Sequence, residues 1–177
     1  MPGRGGIEAM LDLLDEAFRG RGIGASNESQ ALLPNLATVT DDQWRARPQG
    51  VARTIESIVL HVGASTLMYD DYAFGPGTLR FGMPEVEPWG PDGPAERDAV
   101  ASWLAAAHSR LVGHVAALAD DAELDRPRRT NWGEIRPTRW ILAAMVTHDA
   151  YHAGEINHLR SQLAGDDRWR YQQLGHG

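Results

Sequence analysis

His148 and His152 stand four residues apart in the stretch THDAYHAGEINHLR, and Glu155 follows three residues later. On a helix, successive residues turn through about 100 degrees, so His152, Glu155 and Leu159 fall within about 40 degrees of His148. Ile141, Ala144 and Met145 extend the same stripe. Two imidazoles on an apolar stripe face a protein interior, where each nitrogen is costly to bury unless it finds a partner. A divalent metal ion is one such partner, and a hydrogen-bonding group of the core is the other. HxxxH by itself does not choose between them, because helices with histidines at this spacing are common.

Catalytic sites of the zinc type usually have three protein ligands and an open position, so a third ligand should come from a different helix. His61 is the candidate. It lies in SIVLHVGAS, on a face shared with Thr54, Ile58, Ser65, Met68 and Tyr72, and is the only histidine in the first half of the chain. His108 and His114 flank the leucine stripe of another helix, His158 is set about 80 degrees off the stripe of His148 and His152, and His176 belongs to the C-terminal tail. None of these four is assigned as a ligand. Glu155 has three open roles: fourth ligand, acceptor fixing an imidazole, or partner of an arginine. His148, Asp149 and His152 also spell HDxxH, near the HExxH of zinc peptidases. Aspartate is one carbon shorter than the water-activating glutamate there, however, and no downstream ligand follows at the required distance.

Four segments with helical periodicity must position these residues, separated by stretches rich in glycine and proline. The first, IEAMLDLLDEAF, is interrupted by RGRGIGAS and resumes through NESQALLPNLATV. Thr40 and Gln43 spell a capping box that opens a short extra turn. The second helix should run from about Thr54 to Gly75, and residues 78–93 read as a loop long enough to cover a site. The third should open at Pro94 with Glu96 in its first turn, carrying Val100, Leu104, Leu111, Val115 and Leu118 on one stripe. Between Arg126 and Arg136 either an irregular connection or a hairpin around Asn131 to Gly133 fits; Pro137 then opens the fourth helix, which ends near Ala164. The expected fold is therefore all-α: an up-down-up-down four-helix bundle with a long loop between helices 2 and 3. One domain over 1–177 is expected, with its core at about 7–164 and a tail at about 165–177.

Composition narrows the chemistry. Cysteine is absent, so thiolate nucleophiles and cysteine-held metals are excluded, and any metal must be held by nitrogen or oxygen. A net charge of -7 argues against an electrostatic nucleic-acid binder. Neither a membrane span nor the apolar core of a signal peptide is apparent, which predicts a cytoplasmic protein. All 17 basic residues are arginine, five of them between Arg126 and Arg139, where they form either a solvated connection or an anion-binding rim. Six tryptophans, with Trp89, Trp132 and Trp169 in or near loops, are more large apolar groups than a monomer of this size readily buries, and a homodimer is expected.

With LHVGAS on the second helix, THDAYHAGEINHLRSQL on the fourth, and 87 residues between His61 and His148, the chain resembles the DinB/YfiT-like superfamily of four-helix-bundle metal proteins. The resemblance runs from the first helix through Ala164. It implies a divalent metal held by His61, His148 and His152, with Asp149, Glu155, Tyr72, Arg136 and Arg139 as candidates to support the ligands or the substrate. Members of that superfamily include S-transferases using bacillithiol or mycothiol, a mycothiol-dependent maleylpyruvate isomerase and hydrolases. Zinc or nickel is expected from a nitrogen-only ligand set. Lacking cysteine, the chain would need a low-molecular-weight thiol of the mycothiol type as cosubstrate, with a small-molecule electrophile entering from the loop side. Such a metal could instead activate water for hydrolysis, and a bundle that binds a metal or small ligand without turnover has the same sequence features.

Overall fold

The computed structural model describes residues 3–20, 31–90 and 95–166 and is mostly helical. Its elements in chain order are α1 (Gly5–Arg19), α2 (Leu32–Ala37), α3 (Asp41–Trp44), α4 (Ile55–Phe74), α5 (Arg97–Ala116), a 3-10 turn (Asp121–Leu124), β1 (Pro127–Arg129), β2 (Ile135–Pro137) and α6 (Thr138–Ala164). Of the 21–30 segment, Pro94, Trp169 and His176, expectations were stated above that lie outside the described residues. No described helix is long and apolar enough to cross a membrane.

Local rules account for three helix ends. Gly20 adopts a left-handed φ of 67° and stops α1 where the glycine-rich break begins, since this conformation is strained for other residues. Thr40 and Gln43 form the reciprocal capping box of α3, and Thr54 and Ser57 form another at the start of α4. Long-range groups cap two other ends. Asp121 accepts hydrogen bonds from the backbone N–H groups of Gly6 at 3.0 Å and Ile7 at 2.9 Å, satisfying the first turn of α1 from the 3-10 turn. Arg4 reaches the other way, to the carbonyls of Ala116, Leu118 and Ala119 at the end of α5. Two boundaries move: α5 starts at Arg97 with Glu96 as its N-cap, and Pro137 is the N-cap of α6 and the end of β2.

Residues 127–137 form an antiparallel hairpin with Arg128 opposite Arg136, which resolves the alternative left open by the sequence. The four longest helices pack together, α4 against α5 and α6, and α1 against α5 and α6. Two core clusters result. One gathers Phe18, Trp44, Ile58, Val62, Leu104 and Ile156; the other gathers Ile7, Leu14, Leu111, Val115, Leu142 and Met145. The expected stripe of α5 is buried along its length, each large side chain contributing about 1.5 to 3 kcal/mol relative to exposure. A third, smaller cluster anchors the segment after α4, where fully buried Val86 packs with Ala64 and Met68.

His108 does not flank the core but lies inside it, stacked on Phe18 with ring centroids 3.8 Å apart and planes 5° from parallel. Its Nε2 is buried without a hydrogen-bond partner. Burial, aided by nearby Arg19, lowers its pKa to about 4. The folded-state value thus lies below the unfolded value near 6.5, and the unfolded chain takes up the proton first. The neutral ring's contribution is complete above about pH 6.5 and is lost as pH falls toward 4, a change of about 3 kcal/mol at most. In His108→Leu, denaturant unfolding at a series of pH values should give a shallower loss of stability between pH 6.5 and 4. It should stay sloped, because His61 and His152 titrate in the same direction. An unchanged slope would contradict the assignment.

Candidate metal centre

His61 lies two helical turns after the Thr54 cap, on the face of α4 that packs against α6. α6 runs unbroken for 27 residues, so the four-residue spacing of His148 and His152 places both rings on one side of it. Helix packing brings the three together. The Nε2 atoms of His61 and His148 are 3.3 Å apart, and one nitrogen from each of the three histidines lies within 4.8 Å of the others. Two nitrogens bound at about 2.0 to 2.1 Å in tetrahedral directions would be separated by about 3.3 Å, so the pair already has the spacing of two ligands of one ion.

The surrounding groups favour imidazoles with a free lone pair. Burial, then the neighbouring His148 and His152, lower the pKa of His61 to about 4. Burial also lowers that of His152. A carboxylate only accepts hydrogen bonds, so the 2.8 Å contact from His152 Nδ1 to Glu155 Oε2 makes Nδ1 the protonated nitrogen and leaves Nε2 for a ligand. Arg53 Nη1 approaches the same carboxylate oxygen at 3.5 Å. Glu155 therefore combines two of the roles considered for it: it fixes an imidazole and pairs with an arginine. His148 Nδ1 and Asp149 Oδ1 are both buried without hydrogen-bond partners, 4.0 Å apart, and burial pushes the Asp149 carboxyl up. A nitrogen-only set of this geometry can hold a divalent metal ion.

A family model described as the DinB superfamily matches residues 26–156, a span that holds all three histidines. The chain belongs to the DinB superfamily. A comparison with curated proteins gave no match.

In this DinB superfamily chain, the other sequence candidates are not brought to the cluster. Tyr72 lies 11 residues beyond His61, about 16 Å along α4, where its hydroxyl meets Arg80 at 2.6 Å. Arg136 pairs with Glu134 at 2.7 Å and covers the Trp140 ring, and Arg139 pairs with Asp125. Arg126 and Arg128 both hold Glu123, while Arg129 lies over Tyr72. The arginine-rich stretch is thus an ion-paired scaffold around the hairpin and not a rim beside the histidines. His158 is exposed, and His114 binds Asp70 at 2.6 Å.

Three features escaped the sequence. Arg53 acts on the cluster from outside α4, and nothing in its local sequence distinguishes it from other surface arginines. Phe81 and Trp103 gather beside His61 from different segments, around a cavity that also touches Trp89. Asp70, completely buried, joins α4 to α5 through Arg110 and His114. The adjacent acids Asp70 and Asp71 in the largely apolar α4 were the available signal.

Proposed function

We propose that the chain is a divalent-metal-dependent S-transferase that joins a low-molecular-weight thiol of the mycothiol type to a small electrophile. The convergence of the His61, His148 and His152 nitrogens beside a cavity bounded by His61 carries this reading. His61, His148 and His152 are the ligands, and a bound divalent ion with an open position would supply the Lewis acidity that makes a thiolate available at neutral pH. The chain's own residues do the rest. Glu155 holds His152 in the tautomer that presents Nε2, and Arg53 holds Glu155. The aromatic walls of the cavity exclude water and orient the electrophile. The thiol proton leaves to solvent, the sulfur pair forms an S–C bond, and the leaving group departs with the electrons of the bond that breaks.

This reading treats the chain as a single domain in which α1, α4, α5 and α6 are the up-down-up-down helices and residues 75–96 the long connection. Exposed Trp132, Ile135 and Trp140 support a homodimer.

The test combines metal analysis of purified protein with thiol consumption in the presence of an electrophile. Consumption should be lost on chelation and restored by zinc or nickel. Equal rates with and without chelator would sink the proposal. Metal-dependent ester hydrolysis without thiol use would replace it with a hydrolase, and metal uptake with neither activity would leave a binding protein.

A further inference from the structure

The cavity beside His61 has a volume of about 270 Å³, near the lower end for small-molecule sites. We propose that it is the electrophile subsite and that it selects a small, flat aromatic molecule that carries no negative charge. The chemistry performed there rests on the transferase reading, whereas the binding does not.

The walls carry the inference. Trp89 and Trp103 meet edge to face, with centroids 5.5 Å apart and planes at 87°. Phe81, 51% exposed, lies nearly parallel to His61, at 9° and 6.3 Å between centroids. An aromatic ring left this exposed at the mouth of a cavity gains contact when a second flat apolar surface covers it. The Ser57 hydroxyl and the Glu87 carboxylate of the lining are already engaged. Ser57 Oγ donates to the Thr54 carbonyl at 2.8 Å and accepts from the Thr54 N–H at 3.1 Å; Glu87 accepts from the Gly82 N–H at 2.8 Å. Among the described residues no arginine lines the cavity, and Glu87 would repel an anion.

Gly63 sets the depth of the subsite. A Cβ at this position would lie 2.1 Å from Cζ3 and 2.4 Å from Cη2 of Trp103, so the indole rests against the α4 backbone where only hydrogen leaves room. Any side chain at 63 must displace the indole that forms the wall. Gly63 and Trp103 are specificity-determining residues on this reading, separate from the groups that face an ion.

Full-length protein is titrated with nitrobenzene and, as the anionic counterpart, 4-nitrobenzoate, in metal-free and zinc-loaded forms. The readout is the indole N–H resonances of Trp89 and Trp103, assigned with Trp→Phe variants. Nitrobenzene should shift both resonances in both forms and bind roughly tenfold or more tightly than 4-nitrobenzoate. Gly63→Ala and Phe81→Ala should each weaken nitrobenzene binding roughly two- to tenfold, with zinc content unchanged. Phe81 is a surface side chain, so its variant keeps the test decisive should Gly63→Ala fail to fold. Equal or tighter binding of the anion, unshifted indole resonances, or full affinity in Phe81→Ala would each overturn the proposal. Binding without thiol turnover would support the subsite and count against the transferase; metal-dependent turnover that favours anionic or aliphatic electrophiles would do the reverse.

Discussion

His148→Ala is expected to lose metal retention while the protein remains folded. Removing a group that merely orients a metal-bound histidine typically costs 10- to 100-fold in affinity, so deleting a ligand should exceed about 100-fold. The two nitrogens that remain, on His61 and His152, come from different helices and give an ion no three-point hold. The fold should tolerate the change because His148 stands outside the hydrophobic clusters and its side chain is 21% exposed. The loss also removes a buried Nδ1 that has no hydrogen-bond partner. Metal content after dialysis, read beside the helical signal and the melting midpoint, makes the comparison. Wild-type metal content in His148→Ala would end the three-histidine assignment, and so would a folded wild type that takes up no zinc or nickel.

Arg110→Met should lower stability by about 3 kcal/mol, more than Asp70→Asn does. Asp70 is completely buried between α4 and α5, with Oδ1 at 2.6 Å from His114 Nδ1 and Oδ2 at 2.6 Å from Arg110 Nε. The partners differ in burial: the Arg110 and His114 side chains are 43% and 42% exposed. Without Arg110 a carboxylate is left in the interior with one imidazole, and an incompletely paired buried charge is among the costliest single defects. Without the Asp70 charge, both partner side chains can turn toward water, and the amide still offers an oxygen. Denaturant unfolding of the two variants decides the matter. The reversed order would show that Asp70 acts by filling space and not as a paired charge.

Features that depend on near neighbours in the chain were legible without the fold. The spacing of His148 and His152, the stripe from Val100 to Leu118, the Thr40 and Gln43 capping box and the stop at Gly20 all follow from helical period and backbone preference. His61 could be named because it was the only candidate in its half of the chain, and the family resemblance supported it, but its 3.3 Å approach to His148 exists only because α4 packs on α6. The hairpin at 127–137 stayed ambiguous because three-residue strands carry too little periodicity to distinguish from a loop.

What the sequence by itself determined is therefore the four longest helices, the residues on their faces, and the nitrogen-or-oxygen character of any metal site. Tertiary structure alone decided which charges meet and what lies beside the histidines. The arginines from Arg126 to Arg139 read as one basic stretch until Glu123, Asp125 and Glu134 are seen against four of them. The cavity at His61 is assembled from α4, α5 and the connection between them, and Gly63 matters because Trp103 of another helix occupies the space its side chain would need. Helical period tells which way a side chain faces; only the packing of one helix on another supplies what it faces.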